Sequence, residues 1–202
     1  VSATSPVVYN SGTKNISLNT STLFGTFAGA VNQTSSLVDV YPRIGNFTGT
    51  PTSGTVYLTM FTPEWDAAIT SISAASAAIA TTGISLVRFG LYTVSGNTAT
   101  LVARTAADST VFSVTNTLYT RTLDTTDGYP ASYTLSSGTR YALGVIVLAT
   151  TPGTLQMAWS SVPATLSTLT PRITGSVAAQ TDLPTSITSM NSSTLSVWGR
   201  FS

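Results

Sequence analysis

Two segments rich in β-branched and apolar residues, joined by a glycine turn, constrain the fold of this chain more than any other feature. The segment Ile84–Val94 ends at the turn Ser95-Gly96-Asn97, and the segment Thr98–Arg104 follows at once. This pattern predicts two antiparallel strands connected by a tight hairpin. A further segment, Thr139–Ala149, is apolar through most of its length, which indicates a central strand buried on both faces.

Turn signals divide much of the remaining chain into short strand candidates. These candidates are Thr55–Phe61, Ile69–Ser73, Val111–Val114, Leu118–Leu123, Ser132–Leu135, Leu155–Ser160, Arg172–Val177 and Leu195–Phe201. The stretch Asp66–Ala80 also fits a helical stripe of isoleucines, but a short strand followed by a loop of small residues is the interpretation we prefer. About eight to ten short strands without a convincing long helix predict an all-β fold, an antiparallel β-sandwich of jelly-roll type.

The composition agrees with a fold made of strands. Threonine and serine make up about a third of the 202 residues, whereas Lys14 and Glu64 are the sole lysine and the sole glutamate. Threonine favours strands because its β-branched side chain packs well on a pleated surface. Only 7% of the residues are charged, and the net charge is +1. We therefore expect a hydroxyl-rich, weakly charged surface that offers little repulsion between neighbouring copies.

The first 36 residues differ from the rest, since they are rich in Ser, Thr, Asn and Gly and carry only scattered apolar residues. We therefore predict an extended N-terminal arm at residues 1–36, used for assembly or docking, and a β-sandwich domain at residues 37–202. No secretion signal follows Val1, and no apolar run is long enough to cross a membrane, so we expect no membrane insertion. The absence of basic runs argues against nucleic acid as a partner.

The residue inventory excludes most catalytic schemes. The chain has no histidine and no cysteine, which removes the usual nucleophilic triads and zinc sites. We therefore expect no enzymatic activity and no cofactor. Asp124 and Asp127 flank a turn that could hold Ca²⁺, but aspartates commonly cap the backbone of their own turn, and we favour that interpretation.

Four aromatic residues beside predicted turns are candidates for contact with a glycan or another surface: Trp65, Tyr129, Tyr133 and Trp159. The alternative is that such rings fill the ends of the sandwich as part of its core. Trp65 stands between the carboxylates of Glu64 and Asp66, so a pair of acids beside a sugar competes with a plain turn. Arg88 and Arg140 each interrupt an apolar run, which predicts either a polar face or pairing with one of the few aspartates, with a role at an interface as an alternative.

Six segments show a resemblance when their order and spacing are taken together. They are Ser53–Pro63, Val87–Tyr92, Ala99–Asp108, Leu118–Arg121, Gly128–Tyr141 and Leu169–Ile173. Across residues 37–202 this pattern resembles the β-sandwich module of minor tail proteins and related virion proteins of tailed phages that infect actinobacteria. The matching residues belong to turns and strands, so no catalytic residue is carried over from the family.

The resemblance implies a virion location, many copies or a symmetric oligomer, and contact with glycan of the host cell envelope. It leads us to expect a non-enzymatic virion structural protein of a tailed bacteriophage, a minor tail protein involved in assembly and host-surface contact. Its partners would be copies of itself and other virion proteins. Two alternatives stay open: a capsid decoration protein that stabilises the shell, and a free carbohydrate-binding module.

Overall fold

The computed structural model describes residues 7–10, 15–18, 33–34, 36–41, 47–159 and 164–202. Its elements are almost all antiparallel strands, which confirms the predicted all-β sandwich. In chain order they are β1 (Val7–Asn10), β2 (Asn15–Leu18), β3 (Gln33–Thr34), β4 (Leu37–Asp39), β5 (Phe47–Gly49), β6 (Val56–Phe61), β7 (Ala67–Ile69), β8 (Ser71–Ala75), β9 (Thr82–Ser95), β10 (Thr98–Arg104), β11 (Leu118–Thr122), β12 (Tyr133–Leu135), β13 (Tyr141–Thr151), β14 (Leu155–Met157), β15 (Thr174–Val177), β16 (Ser186–Ile187) and β17 (Gly199–Phe201). A 3₁₀ turn at Thr126–Gly128 and a short helix at Ala164–Ser167 are the helical elements of the described part.

One sheet has six strands in the order β15-β6-β13-β9-β10-β16. The predicted hairpin is confirmed, because Thr98 pairs with Ser95 and Gly96 provides the positive φ of +59° that the turn needs. The predicted central strand is also confirmed. Strand β13 lies between β6 and β9 and pairs with both of them.

The other large sheet has five strands in the order β11-β8-β17-β4-β3. The segment Ile69–Ser73 is extended, as predicted, and contributes to β7 and β8. Strand β8 lies between β11 and the C-terminal strand β17, so its backbone hydrogen bonds are made across the sheet and not along a helix. Smaller pairs join β1 to β2, β7 to β12 and β5 to β14. Most of the predicted arm at residues 1–36 lies outside the described residues.

Two hydrophobic clusters lie on opposite faces of the six-stranded sheet. The inner cluster fills the space between the two large sheets and includes Phe89, Leu91, Leu143, Ile72 and Phe201. The outer cluster includes Leu58, Tyr92, Ile146, Leu183, Ile187 and Met190. Residues 182–190, called the C-terminal segment below, therefore cover the outer face of this sheet. This second layer explains why β13 is apolar on both faces.

The predicted strand Val111–Val114 is wrong, because these residues form a turn. Phe112 has a positive φ of +66° and is fully buried. Its ring lies 5.7 Å from the ring of Phe89 and 5.5 Å from the ring of Tyr119, measured between centroids. Val111 and Phe112 thus fill the inner core from a turn, whereas Val114 is exposed.

Candidate functional site

Trp65 is an exposed aromatic ring on the loop between β6 and β7, with 47% of its surface accessible. The turn that follows β12 fixes this loop in place. Gly138 donates its backbone N–H to the carbonyl of Pro63 at 3.0 Å, and Ser137 donates its backbone N–H to Oδ1 of Asp66 at 2.7 Å. A side-chain hydrogen bond from Ser137 to the carbonyl of the residue before Trp65 adds a third contact at 2.7 Å. The indole is therefore presented to solvent by a loop whose backbone is held on both sides.

The two acids beside Trp65, Glu64 and Asp66, both contact the turn at 136–138. Asp66 accepts the backbone N–H of Ser137, which is a capping contact, and Glu64 contributes its backbone carbonyl to the same turn. The neighbouring residues Ser136 and Thr139 are exposed. An exposed indole with hydroxyls beside it is suited to contact with a sugar ring, which presents one apolar face and a rim of polar groups.

Tyr133 lies close to the same loop, because it opens the strand that leads into the turn at 136–138. It is half-buried, and its ring meets the ring of Tyr141 edge-on, with 6.2 Å between centroids. Burial raises the pKa of the Tyr133 phenol, and the charge and hydrogen bond of Tyr141 raise this pKa further. The hydroxyl of Tyr141 also accepts the backbone N–H of Ser136 at 3.1 Å. Tyr133 therefore helps support the turn that fixes the loop of Trp65.

Tyr129 and the two loop aspartates gather around a single arginine. The guanidinium of Arg104 lies 4.6 Å from the centre of the Tyr129 ring. Its Nη2 is 2.5 Å from Oδ2 of Asp127, and its Nε is 3.7 Å from Oδ2 of Asp124. Hydrogen bonds from Thr126 lower the pKa of Asp124; burial opposes this effect, and the positive charge of Arg104 adds to it. Arg104 thus supplies the positive charge beside both carboxylates, and Asp124 accepts hydrogen bonds from Thr126 of its own turn.

A second arginine extends this cluster toward the C-terminal segment. The buried guanidinium of Arg88 forms an ion pair with the partly exposed carboxylate of Asp182, so the predicted pairing of this arginine with one of the few aspartates is confirmed. Nearby, the hydroxyl of Tyr92 donates to the carbonyl of Pro184 at 3.0 Å. Burial raises the pKa of Tyr92, and Tyr129 and Asp182 act in the same direction. The charged cluster therefore fastens the C-terminal segment and the loop of Tyr129 to one face of the six-stranded sheet.

Trp159 belongs to a separate aromatic group. Its ring meets the ring of Tyr41 edge-on at a centroid distance of 4.4 Å, and its backbone N–H donates to the hydroxyl of Ser196 at 3.4 Å. The indole N–H of Trp198 donates to the carbonyl of Tyr41 at 3.1 Å. Burial raises the pKa of the Tyr41 phenol, while the charge of Arg140 lowers it. Trp159 is half-buried in this group, so it presents less free ring surface than Trp65.

The structure thus brings Trp65 and Tyr133 to one turn and places Tyr129 and Trp159 in two other groups. Sequence reasoning missed the role of Arg104, which organises the loop of Asp124, Asp127 and Tyr129. The available signal was the position of this arginine, since it ends a predicted strand and charged residues are scarce. Its contacts lie about twenty residues further along the chain, which no local pattern indicates.

Among the described residues, no three His, Cys, Asp or Glu side chains converge as a metal-binding group. None of the helices in the described ranges has the length and apolar character that crossing a membrane requires. No protein-family model matches the sequence, and no curated protein matches it.

Proposed function

We propose that this chain is a non-enzymatic structural protein of a tailed-phage virion, placed in the tail, where it takes part in assembly and in contact with the host surface. The six segments that resemble minor tail and related virion proteins support this proposal. So does the surface, because a net charge of +1 and 7% charged residues suit a body that packs beside copies of itself and other virion proteins.

The observation that supports contact with the host is the exposed position of Trp65 on a fixed loop. Its indole is 47% exposed, although the loop around it is held by three hydrogen bonds to the turn at 136–138. A rigid exposed aromatic ring loses little conformational freedom when it binds, which favours affinity. The ligand class that fits is a glycan of the host envelope, with the ring contacting the apolar face of a sugar.

The first experiment locates the chain on the particle. An antibody fragment raised against the purified protein is bound to intact virions, and its density and copy number are measured by electron cryo-microscopy. Tens of copies on the tail support the proposal. Hundreds of copies on the head would support a capsid decoration protein instead, and absence from the particle would overturn both.

The second experiment tests the Trp65 loop. Phage carrying Trp65→Ala should adsorb to host cells about tenfold less efficiently, because loss of an aromatic anchor removes a central contact. The matched control is Leu169→Ala, since Leu169 is also exposed, at 57%, and lies on a different segment. Equal adsorption of both variants and the wild type would contradict a role for Trp65 in host contact.

A free carbohydrate-binding module is a second candidate, favoured by the same exposed indole. It predicts that the isolated chain binds host-envelope polysaccharide without any virion partner. Titration of the polysaccharide should change the tryptophan fluorescence of the wild type and leave that of Trp65→Ala unchanged. Binding by the isolated chain combined with absence from virions would favour this candidate over the tail protein.

A further inference from the structure

Asp66, which directly follows the exposed Trp65, carries an exposed carboxylate that no arginine neutralises. In the described part of the chain, four other aspartates each form an ion pair with an arginine, namely Asp108, Asp124, Asp127 and Asp182. Asp66 forms no ion pair within that part. Its negative charge therefore stays at the surface, beside the indole.

One hydrogen bond orients this carboxylate and leaves its second oxygen available. Oδ1 of Asp66 accepts the backbone N–H of Ser137 at 2.7 Å, whereas Oδ2 accepts no hydrogen bond from the described residues. Because the acceptor is already held in one orientation, it loses little conformational freedom when it binds a donor. A charged donor at Oδ2 would form a charge-assisted hydrogen bond, which is roughly twice as strong as a neutral one.

The surroundings of this carboxylate contain no cation that would oppose a positively charged ligand. Neither residues 62–68 nor residues 132–139 include a lysine or an arginine. The charge of Arg140, the next residue in the chain, acts on Tyr41 in the separate aromatic group and lowers the pKa of that phenol. The face of an indole also attracts cations, and it does so more strongly than the ring of tyrosine or phenylalanine. The carboxylate and the indole thus favour the same ligand charge, which is positive.

We infer that the Trp65 loop binds a sugar that bears a free, protonated amino group. The ammonium donates to Oδ2 of Asp66, and the apolar face of the sugar ring lies on the indole of Trp65. Ser136 and Thr139 are exposed and offer hydroxyls to the polar rim of the sugar. Consecutive Cα atoms are about 3.8 Å apart, so one oligosaccharide can reach both Trp65 and Asp66. The inference deepens the proposed contact with host glycan and rests on it.

A basic protein segment carries the same charge as this sugar, but the size of the site favours the sugar. The other large apolar side chains exposed in the described part of the chain lie outside residues 62–68 and 132–139. One ring and one carboxylate form a small contact, whereas stable protein–protein interfaces bury about 1,200–2,000 Å². The site is therefore matched to one or two sugar units.

Calorimetric titration of the full 202-residue chain with matched oligosaccharides tests the inference. The probes are an oligomer of glucosamine, its N-acetylated counterpart and an oligomer of galacturonate of the same length, at pH 6, where the free amine is protonated. The glucosamine oligomer should bind about tenfold more tightly than the acetylated one, because only the ammonium interacts with the charge of Asp66. The galacturonate oligomer should not bind, because its carboxylates are repelled.

Asp66→Asn is the variant that isolates the charge, because the amide oxygen can still accept the N–H of Ser137. The preference for the amine-bearing oligomer should disappear in this variant, while binding of the acetylated oligomer stays the same. Asp127→Asn is the matched control, since it removes the same charge from another loop, where the side chain is 74% exposed. It should keep the preference of the wild type.

The inference is overturned if the wild type binds the two glucosamine oligomers equally, or binds neither, or if the preference survives in Asp66→Asn. An oligomer of lysine that binds as tightly as the glucosamine oligomer would also overturn it, because the site would then recognise charge without a sugar. These outcomes leave the virion location intact, since electron cryo-microscopy measures it independently. An amine preference in a protein that is absent from virions would overturn the proposed function alone.

Discussion

The guanidinium of Arg104 lies 4.6 Å from the centre of the Tyr129 ring while its Nη2 contacts Oδ2 of Asp127 at 2.5 Å. One buried arginine at the end of β10 therefore fixes a loop that begins twenty residues later. The contact matters for the surface of the protein, because it covers one face of Tyr129 and leaves less of that ring for a ligand.

Arg104→Met should destabilise the protein by about 1–3 kcal/mol, because the side chain of Asp124 is only 12% exposed and would lose its cation. The free energy of unfolding is measured by urea denaturation. Thr125→Ala is the control, since Thr125 is an exposed residue of the same loop. Equal stability of both variants would show that Arg104 does not fix the loop.

Asp108 should make stability depend on pH in the acid range. Burial raises its pKa, but hydrogen bonds from Thr110 and from Arg121, together with the charge of Arg121, outweigh burial and lower the pKa to about 2. Because the pKa is lower in the folded state than the ordinary 3.8, this contribution is present above pH 3.8 and is lost as pH falls toward 2. Solvent screening limits it to about 1 kcal/mol.

The measurement is urea unfolding of the wild type and of Asp108→Asn between pH 2 and pH 6. The difference in stability between the two proteins should be largest at pH 6 and shrink as the pH falls below 3.8. Asp124 also has a lowered pKa, but its contribution is common to both proteins and cancels in the difference. A difference that is constant over this range would contradict the assignment to Asp108.

Gly144 is needed for the packing of Tyr92. A Cβ atom at Gly144 would lie 2.6 Å from the Tyr92 ring, which is fully buried in the outer cluster. Gly144→Ala should therefore cost about 1–3 kcal/mol of stability through overpacking. Combining it with Tyr92→Leu, which removes the ring, should cost less than the sum of the two single changes in thermal unfolding. Strict additivity would show that the two residues are not in contact.

Leu183 anchors the C-terminal segment over the outer face of the six-stranded sheet and is 4% exposed. Leu183→Ala should lower the free energy of unfolding by about 2–4 kcal/mol, because it leaves a cavity above β9 and β10. Ile173→Ala is the comparison, since Ile173 is 42% exposed and should cost little. If both variants lose the same stability, the segment does not serve as a cover.

The hairpin of β9 and β10 was predictable because its information is local. A glycine turn between two β-branched segments specifies both strands and their register, and Ser95 indeed pairs with Thr98. The same local reasoning failed at Val111–Val114, where a short apolar run without alternation fits a buried turn as well as a strand. Phe112 is buried against Phe89 and Tyr119, and these contacts stabilise the turn in preference to a strand.

The candidate site was predictable only as a set of residue types. Sequence indicated Trp65 and Tyr133 as aromatic residues beside turns, but a turn leaves open whether its ring is exposed or buried. The exposure of Trp65 depends on hydrogen bonds to Ser137, a residue more than seventy positions away. Arg88 and Asp182 are 94 residues apart, so the sequence predicted pairing with an aspartate but did not indicate which one.

The sequence by itself determined the all-β class, the central position of β13 and the lack of histidine and cysteine chemistry, because composition and short-range patterns carry that information. Only the tertiary structure decided that β17 lies between β8 and β4, that residues 182–190 form a second layer, and that β11 forms one edge of the five-stranded sheet. Strand order depends on contacts between distant segments, and those contacts form when apolar faces are buried together, which no local pattern records.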